Sequence, residues 1–421
     1  MNVIKRDGRT VPFDKQKIVC AIASAFCEQY GEVIDSDMRD CVEKIADDIE
    51  HISETKELHV EEIQDIVEHK LMATKYKDVA KAYITYRYLH GMARDQYKEM
   101  MDAVADKLAA KNVQNQNANV DEASFGGRIG EASDVITKKY ALEFLVSPMA
   151  RANHENNEVY IHDLSAYAVG NHNCLSIPFD DLLAKGFNTR QTDVRPAQSI
   201  NTAFQLLAVI FQIQSLQQFG GVSATHLDWT MVPYVRKSFY KHFKDGMKYV
   251  EQMEFHGLEN VEQISISDPD GFYLQFPKAY SYAIDMTVRE IKQAVEGMYH
   301  NLNTLQSRSG CQLPFSSINY GTCTLPEGRM ITRALLETSI KGVGGLHKTS
   351  IFPCGIFQCM DGVNRKPGDP NYDLFKLALE STSLRLYPNY ANCDWSGNAG
   401  YDINDPRTYF STMGKRKLQL M

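Results

Sequence analysis

A polar stretch at residues 112–119, NVQNQNAN, divides this chain of 421 residues into two parts with different hydrophobic patterns. The stretch lacks large apolar side chains, so it predicts a linker, although a surface loop would have the same composition. We therefore expect a first domain over residues 1–95 and a second domain over residues 121–421. Residues 96–120 would form the connection, which contains the end of a helix and the linker.

The first 95 residues predict a small hairpin followed by a helical bundle. Asp7-Gly8 lies between two short extended runs, and both central positions of a two-residue hairpin turn need a positive φ angle. Asp14 can cap a helix that Gly31 ends. Apolar residues at helical spacing predict four buried faces: Ile18, Ala21, Ile22, Ala25 and Phe26; Val42, Ile45 and Ile49; Ile63, Ile66, Val67 and Leu71; and Val79, Tyr83, Tyr86 and Leu89.

The second domain has the pattern of an α/β protein. Helical stretches at residues 203–218 and 288–307 alternate with short apolar segments at residues 158–162, 315–319 and 351–353. Alternation of this kind is typical of α/β folds, either doubly wound or barrel.

The composition argues against several classes of protein. A net charge of -8 and a pI of about 5.9 argue against a chain-wide basic surface for nucleic acid. Because no apolar run is long enough to cross a bilayer and the start lacks a signal peptide, we expect a cytoplasmic protein with no membrane partner. The nine cysteines are irregularly spaced and include no Cys-x-x-Cys pair, so we expect no disulfide framework and no metal site within this chain.

Four basic residues of the first domain predict an anion site. Lys5 and Arg6 lie at the mouth of the hairpin turn, Lys17 lies in the first turn of the next helix, and Arg87 lies on the last helix. Free N–H groups at a helix start favour an anion, and arginine and lysine both bind phosphate oxygens. A solvated basic surface would carry the same residues.

Four strings in the first domain resemble the ATP-cone, a regulatory domain at the front of many ribonucleotide reductases and in a bacterial repressor of their genes. The strings are VIKRDG at residues 3–8, FDKQKI at 13–18, EEIQDIVE at 61–68 and AYITYR at 82–87. The resemblance implies that Lys5, Arg6, Lys17 and Arg87 contact the phosphates of ATP or dATP, which would act as allosteric effectors.

Five strings in the second domain resemble the anaerobic, class III, glycyl-radical ribonucleoside-triphosphate reductases. They are IHDL at residues 161–164, GNHNCL at 170–175, QQFGGVS at 217–223, PFSSINYGT at 314–322 and YFSTMG at 409–414. The family fold is a ten-stranded α/β barrel with a finger loop, so the resemblance implies a small α+β ATP-cone domain followed by an incomplete barrel. It implies reduction of ribonucleoside triphosphates to 2′-deoxyribonucleoside triphosphates, in a homodimer activated by an S-adenosylmethionine-dependent iron–sulfur enzyme.

The chemistry implied by this family assigns roles to two residues of the second domain. Loss of a ribose 2′-hydroxyl needs a radical at C3′, departure of water, and reducing equivalents. Cys174 matches the family's reducing cysteine, although a buried, inert cysteine is the alternative. His172 would orient the substrate or a formate reductant, or would be a core histidine.

Small and hydroxyl-bearing residues in two of the strings predict substrate contacts. Gly221, Ser223, Ser317 and Asn319 offer backbone N–H groups and polar side chains that allow close approach to a ribose or a phosphate. Tight turns at the ends of strands would explain the same residues equally well.

The sequence departs from the family at residue 415. The family has there the cysteine that becomes the thiyl radical, but this chain has Lys415, and an ammonium group cannot abstract a hydrogen atom. We expect a truncated or frameshifted product that is inactive alone, with the glycyl radical and the structural zinc confined to the missing C-terminal part. The alternative is a regulatory fragment that binds ATP or dATP without catalysis. A third hypothesis, another glycyl-radical enzyme such as an acyltransferase, fits the ATP-cone less well.

Overall fold

The structure is a computed structural model that describes residues 1–31, 34–109, 124–170, 173–218, 220–267, 272–308, 312–395 and 400–413. It contains two compact units, Met1–Asp102 and Ala103–Met421. The boundary between them lies within the helix Lys77–Ala109, and the polar stretch 112–119 lies outside the described residues. No described helix is both long and apolar enough to span a membrane.

The N-terminal unit combines a small sheet with helices. Its described elements are β1 (Asn2–Ile4), β2 (Thr10–Pro12), α1 (Lys15–Tyr30), α2 (Ser36–Thr55), β3 (Leu58–His59), α3 (Val60–Ala73) and α4 (Lys77–Ala109). The central strand β1 pairs antiparallel with β2 and parallel with β3. The sequence therefore predicted both the hairpin and the four helices correctly.

The turn between β1 and β2 is longer than a two-residue Asp-Gly turn. Lys5 N donates to Arg9 O at 2.8 Å, and Gly8 N donates to Lys5 O at 2.9 Å. Within residues 5–9, Gly8 alone has a positive φ angle, of 80°. The turn is thus a three-residue loop that ends in a left-handed glycine, and the expectation of positive φ at both Asp7 and Gly8 is wrong. Asp7 instead accepts a hydrogen bond from Arg9 N, which suits an ordinary right-handed turn.

Local signals set the limits of α1. The Asp14 carboxylate accepts from Gln16 N at 3.1 Å, and the helix ends at Gly31, whose φ angle is 89°. Most of the predicted helix faces pack into one core around Ile22, Phe26 and Leu71. The prediction is wrong for Ala21, which is exposed, and for the end of the fourth face. Tyr86 and Leu89 are 57% and 58% exposed, because the part of α4 that packs into this core ends at Tyr83.

The second unit is built around a parallel sheet. Its described helices are α5 (Phe125–Tyr140), α6 (Pro148–Glu155), α7 (Leu164–Tyr167), α8 (Phe179–Lys185), α9 (Ile200–Ser215), α10 (Leu227–Thr230), α11 (Val232–Tyr249), α12 (Pro277–Thr304), α13 (Pro326–Lys341) and α14 (Tyr372–Arg385). Its described strands are β4 (Leu175–Ser176), β5 (Phe187–Asn188), β6 (Asp193–Val194), β7 (Val222–Ala224), β8 (Ser316–Tyr320), β9 (Cys354–Cys359) and β10 (Asn389–Asn392).

Five of these strands form one sheet in the order β10-β9-β8-β7-β4, and each neighbouring pair is parallel. Every residue of β8 is buried, as expected for a parallel strand covered on both faces. The core of this unit includes Phe204 and Phe211 of α9 and Val295 of α12. The sequence prediction of an α/β architecture is therefore confirmed, although residues 158–162 and 351–353 form no strand.

Parallel strands begin at one edge of a sheet and end at the other. We call these the amino edge and the carboxyl edge. Cys174 directly precedes β4 and Gly221 directly precedes β7, so both lie at the amino edge. His226 follows β7 by two residues and lies at the carboxyl edge. The two edges place different chemical groups together.

Candidate functional sites

Two of the predicted basic residues meet at a cavity of the N-terminal unit. Lys5 follows β1, Lys17 lies in the first turn of α1, and both line a cavity of about 200 Å³. Most other residues around it are apolar, and the complete lining is Val3, Lys5, Val11, Pro12, Phe13, Asp14, Lys17, Ile18, Ala21, Val60, Ile63, Gln64, Val67 and Tyr83. An apolar wall beside two ammonium groups suits a ligand that has an aromatic part and an anionic part.

The Lys17 ammonium has one close carboxylate. Its Nζ lies 3.4 Å from Asp14 Oδ2, and the lysine side chain is 74% exposed. Exposed pairs of this kind contribute little, about 0–1 kcal/mol. Lys17 can therefore leave Asp14 for a more highly charged anion at small cost.

Arg6 is bound to α3. Its Nη2 donates to Gln64 Oε1 at 3.1 Å, and its Nε donates to the Glu61 carboxylate. Gln64 lines the cavity of Lys5 and Lys17, but Arg6 does not. The structure thus brings Arg6 near the predicted phosphate site without directing its guanidinium into the cavity.

Arg87 is held by three carboxylates of α3. Its guanidinium lies 2.7 Å from Glu61, 2.7 Å from Asp65 and 2.8 Å from Glu68, and its side chain is 21% exposed. Burial disfavours the charged guanidinium, but the hydrogen bonds that it donates to the carboxylates outweigh this effect and raise the pKa of Arg87. Burial likewise opposes ionisation of Glu61, yet the bonds from Arg87 and Arg6 lower the pKa of its carboxyl.

Arg87 lines a second cavity, of about 320 Å³. This cavity shares Ala21, Gln64 and Tyr83 with the cavity of Lys5 and Lys17, so the two are neighbours across one wall. Burial raises the pKa of Tyr83 to about 12, so its phenol stays neutral in that wall. Three of the four basic residues predicted from the sequence therefore line two adjacent cavities rather than one, and Arg6 lines neither.

Cys174 lies at the amino edge of the sheet in the second unit. Gly221 N donates to its Sγ at 3.4 Å, and its thiol lies 3.7 Å from Asn173 Oδ1. The backbone around it is tied to β7, since Leu175 N donates to Gly221 O at 3.0 Å. The structure brings the predicted Cys174 and Gly221 together, whereas His172 lies outside the described residues.

Gly220, which the sequence analysis grouped with Gly221 as a place for close approach to a ribose or phosphate, lies against the backbone that leads into β4. A Cβ atom at this position would lie 1.3 Å from Asn173 O and 2.7 Å from Cys174 N. Real atoms cannot approach so closely, so the backbone of Cys174 takes its position because residue 220 has no side chain. The Gly-Gly pair could be read from the sequence, but the sequence did not show that β4 pairs beside it.

The other three predicted substrate residues lie inside the sheet. Ser223 and Ser317 are paired in register on β7 and β8, and both are buried. Asn319 is fully buried, and its Nδ2 donates to Ser223 Oγ at 3.2 Å and to Ala224 O at 3.0 Å. Their contact with a substrate stays a prediction. In this structure Asn319 is a cross-link between strands.

Asn319 also holds residues 409–413 against the sheet. Its Nδ2 donates to Thr412 O at 3.0 Å, and its Oδ1 accepts from Thr412 N at 3.1 Å. Gln358 does the same at Phe410, because its Nε2 donates to Phe410 O at 2.8 Å. Asn319 of β8 pairs with Ile356 of β9. Gln358 follows Ile356 by two residues in β9, so it lies nearer the carboxyl edge than Asn319 does. The segment therefore runs from Phe410 to Thr412 towards the amino edge, where Cys174 lies.

The sequence analysis did not identify Gln358 as a residue of this region. The signal was present, since a glutamine inside the apolar strand CGIFQC has to find hydrogen-bond partners once it is buried. The sequence could not identify the hydrogen-bond partner of Gln358, because that partner, Phe410, lies 52 residues away in the chain. Lys415, the residue that departs from the family, lies outside the described residues.

The carboxyl edge carries a separate group of polar residues. His226 Nε2 lies 2.6 Å from Asp180 Oδ2, and His226 Nδ1 lies 2.6 Å from Thr225 Oγ1. Burial of Asp180 opposes ionisation, but its bonds with His226 and Thr230 lower the pKa of its carboxyl. The pair lines a cavity of about 620 Å³ that Arg407 also lines. With both ring nitrogens engaged, His226 serves here to connect β7 to α8.

Comparison with known proteins assigns the two units to known families. A family model described as anaerobic ribonucleoside-triphosphate reductase matches residues 116–417, and one described as the ATP cone domain matches residues 1–92. The chain belongs to the anaerobic ribonucleoside-triphosphate reductase family. The family and the fold class that the motifs indicated are thereby confirmed, with an ATP cone in front of part of the reductase barrel.

Relatives in this family are longer than the chain. It is 30% identical over 405 residues to the anaerobic ribonucleoside-triphosphate reductase of Haemophilus influenzae. This alignment covers 93% of the chain and 52% of the Haemophilus influenzae protein. The chain is 31% identical over 396 residues to the Escherichia coli protein of the same name, with 93% and 51% covered. The chain thus spans about half the length of the curated relatives it matches.

One solved structure is similar to part of the chain. The anaerobic ribonucleotide reductase from Thermotoga maritima in complex with dATP and CTP is similar over 74% of this chain and 50% of that chain. The sequence identity is 15% and the TM-score is 0.46.

Proposed function

We propose that the N-terminal unit binds ATP and dATP as allosteric effectors. The observation that carries this proposal is the convergence of Lys5 and Lys17 on one cavity with an apolar wall, within the residues that match the ATP cone domain. The two ammonium groups would neutralise phosphate oxygens, and the apolar wall would receive the base. Arg6 and Arg87 lie close enough to join the phosphate contacts after rearrangement of their side chains.

For the whole protein to which these units belong, we propose reduction of ribonucleoside triphosphates to 2′-deoxyribonucleoside triphosphates. Family membership supports this function, and so does the presence of a cysteine at the amino edge towards which residues 409–413 run. Cys174 would donate a hydrogen atom to the sugar, and Gly221 would allow the substrate to approach it closely. His172 would act beside them.

The partners in this proposal are those of the family. The substrates would be ribonucleoside triphosphates, the active form would be a homodimer, and an S-adenosylmethionine-dependent iron–sulfur enzyme would generate the glycyl radical. Among the residues that the structure describes, no group of three or more histidine, cysteine, aspartate or glutamate side chains could hold a metal ion. The proposed location is the cytoplasm.

A second candidate function is nucleotide binding without catalysis by this chain. Lys415 favours it, because a lysine stands where the family's radical cysteine is expected. This function shares its binding site with the first proposal, and the two differ in whether a deoxynucleotide is formed. An assay for 2′-deoxyribonucleotide product separates them when it is run on this chain and on a protein that carries the remaining barrel, the latter with and without the substitution Cys174→Ser.

Calorimetric titration of the chain with ATP and dATP tests the nucleotide site. We expect saturable binding that Lys5→Ala weakens by about tenfold or more, since it removes a point charge beside the phosphates. The matched control is Lys15→Ala, because Lys15 lies in the same turn as Lys17 but binds Glu43, Asp47 and Glu50 and does not line the cavity. No binding by a folded wild-type chain would refute the proposal.

A further inference from the structure

Five charged side chains at the edge of the proposed nucleotide site form one connected cluster. Glu61 binds both Arg6 and Arg87, and Arg87 also binds Asp65 and Glu68. We call Glu61, Asp65 and Glu68 the α3 carboxylates. Together they carry one negative charge more than the two arginines can neutralise.

This excess of negative charge disfavours the binding of a triphosphate. Both arginines among the four basic residues expected at the phosphates are held by the α3 carboxylates, which are themselves oxygen anions of similar hydrogen-bonding geometry. A nucleotide that enters beside them meets negative charge unless an arginine is released. Carboxylates placed in this way act as an internal substitute for the ligand's phosphates.

We propose that Glu61 competes with the nucleotide phosphates for Arg6, and that effector binding transfers the Arg6 guanidinium from Glu61 to the phosphates. This inference rests on the proposed ATP and dATP site and specifies how the site is controlled. The α3 carboxylates thereby set the nucleotide concentration at which the site fills.

Arg6 is the arginine that can move. Its side chain is 38% exposed, and it follows Lys5, which already lines the cavity. It also bonds to Gln64, a residue in the wall between the two cavities, so it has a short path to the ligand. Arg87 is more buried and has three carboxylate partners, so it stays with α3 and neutralises Glu61 after Arg6 leaves.

A purely structural role predicts a different result. If the cluster only ties the hairpin and α4 to α3, removal of the Glu61 charge lowers the stability of the unit and leaves nucleotide affinity unchanged or reduced. Competition predicts tighter binding instead, because the substitution frees Arg6 and removes a like charge near the phosphates. Affinity therefore separates the two roles.

The experiment is calorimetric titration of the full chain with ATP, for wild type, Glu61→Gln and Glu62→Gln. Glu62 is the matched control, since it lies next in the same helix turn but binds Lys56 and the backbone of His59 rather than an arginine. Both substitutions change the net charge equally and keep a hydrogen-bond acceptor. Thermal unfolding of each variant reports whether the unit is folded.

We expect Glu61→Gln to lower the Kd for ATP by about three- to tenfold, with the Kd of Glu62→Gln equal to that of wild type within experimental error. The difference should shrink at high salt, because screening weakens the repulsion that the substitution removes. An unchanged or higher Kd for a folded Glu61→Gln variant would overturn the competition, while the nucleotide site itself would stand. Absence of ATP binding in folded wild type and in both variants would overturn the site and the competition together.

If Glu61→Gln does not fold, Asp65→Asn gives a second test. The Asp65 side chain is 60% exposed and its ion pair is with Arg87. Its substitution leaves Arg87 with two carboxylates and draws Glu61 towards Arg87, which also weakens the hold on Arg6. We expect a smaller fall in Kd, of about twofold. A Kd equal to or above that of wild type would contradict the inference.

Discussion

Substitution of Gly220 by alanine should displace the backbone beside Cys174. The added Cβ would lie 1.3 Å from Asn173 O and 1.8 Å from Asn173 C, and both of these are backbone atoms. Ordinary contact begins at 3.4 Å, so the backbone at Asn173 would have to retreat by about 2 Å. A side chain could rotate away, but the backbone at Asn173 leads into β4, which is held by its pairing with β7.

The loss of stability can be worked out from the hydrogen bonds that such a displacement of the backbone breaks. Leu175 N donates to Gly221 O at 3.0 Å, and Ile177 N donates to Ser223 O at 2.9 Å. At about 0.5–1.5 kcal/mol for each backbone bond, their loss lowers the free energy of unfolding by about 1–3 kcal/mol. The hydrogen bond from Gly221 N to Cys174 Sγ would be lost as well. We therefore expect a less stable second unit and a more accessible thiol.

Two measurements on the purified chain test this reasoning. Thermal unfolding should show a Tm lower by a few degrees. Alkylation with iodoacetamide, followed by peptide mass spectrometry, should show Cys174 reacting severalfold faster than in wild type. Cys20, which is exposed in the other unit, serves as the internal reference.

The matched control is Gly297→Ala. Gly297 lies within α12, and a Cβ there would meet no atom within 4 Å. Alanine should stabilise this helix by about 0.5–1 kcal/mol, because glycine has the larger conformational entropy to lose. If Gly220→Ala proved as stable as Gly297→Ala and left the alkylation of Cys174 unchanged, the close contact between residues 173 and 220 would be refuted.

Three further substitutions test contacts described above. Asn319→Leu removes both hydrogen bonds to Thr412, so deuterium uptake in residues 409–413 should rise well before the rest of the sheet exchanges, and equal uptake would contradict this. Asp14→Ala removes the N-cap of α1 and should cost the N-terminal unit about 0.5–2 kcal/mol in denaturant unfolding, with Asp14→Asn close to wild type. The lowered pKa of Asp180 means that its ionised form stabilises the fold above about pH 4 and that this contribution is lost as the pH falls through the lowered value. In Asp180→Asn the Tm should therefore fall less between pH 5 and pH 3 than in wild type, and parallel curves would exclude the pair with His226.

The N-terminal unit shows how far local signals reach. Asp14 and Gly31 predicted the limits of α1 because capping and left-handed backbone depend on residues only a few positions apart. The turn at Gly8 was predicted too short, because a three-residue loop with one left-handed glycine accommodates the same Asp-Gly pair. The exposure of Tyr86 was missed for a different reason, since it depends on how much of α4 the neighbouring helices cover, which a periodic pattern does not contain.

The candidate sites divide in the same way. Family motifs indicated Lys5, Lys17 and Cys174, and the structure placed the first two on one cavity and the third at the amino edge of the sheet. The partners of these sites were not accessible from the sequence. Glu61 lies 55 residues from Arg6, and Asn319 lies 93 residues from Thr412. A buried polar group must find a partner, but the sequence does not say which one.

The sequence by itself determined the family, the α/β class of the second unit and the helices and hairpin of the first, because each of these follows from motifs or from interactions within a few residues along the chain. The tertiary structure alone decided which arginines are engaged by carboxylates, which glycine leaves room for the Cys174 backbone, and which amides hold residues 409–413 on the sheet. The physical reason is that these contacts join residues distant in the chain, and packing of the whole unit selects one partner among many that are chemically equivalent.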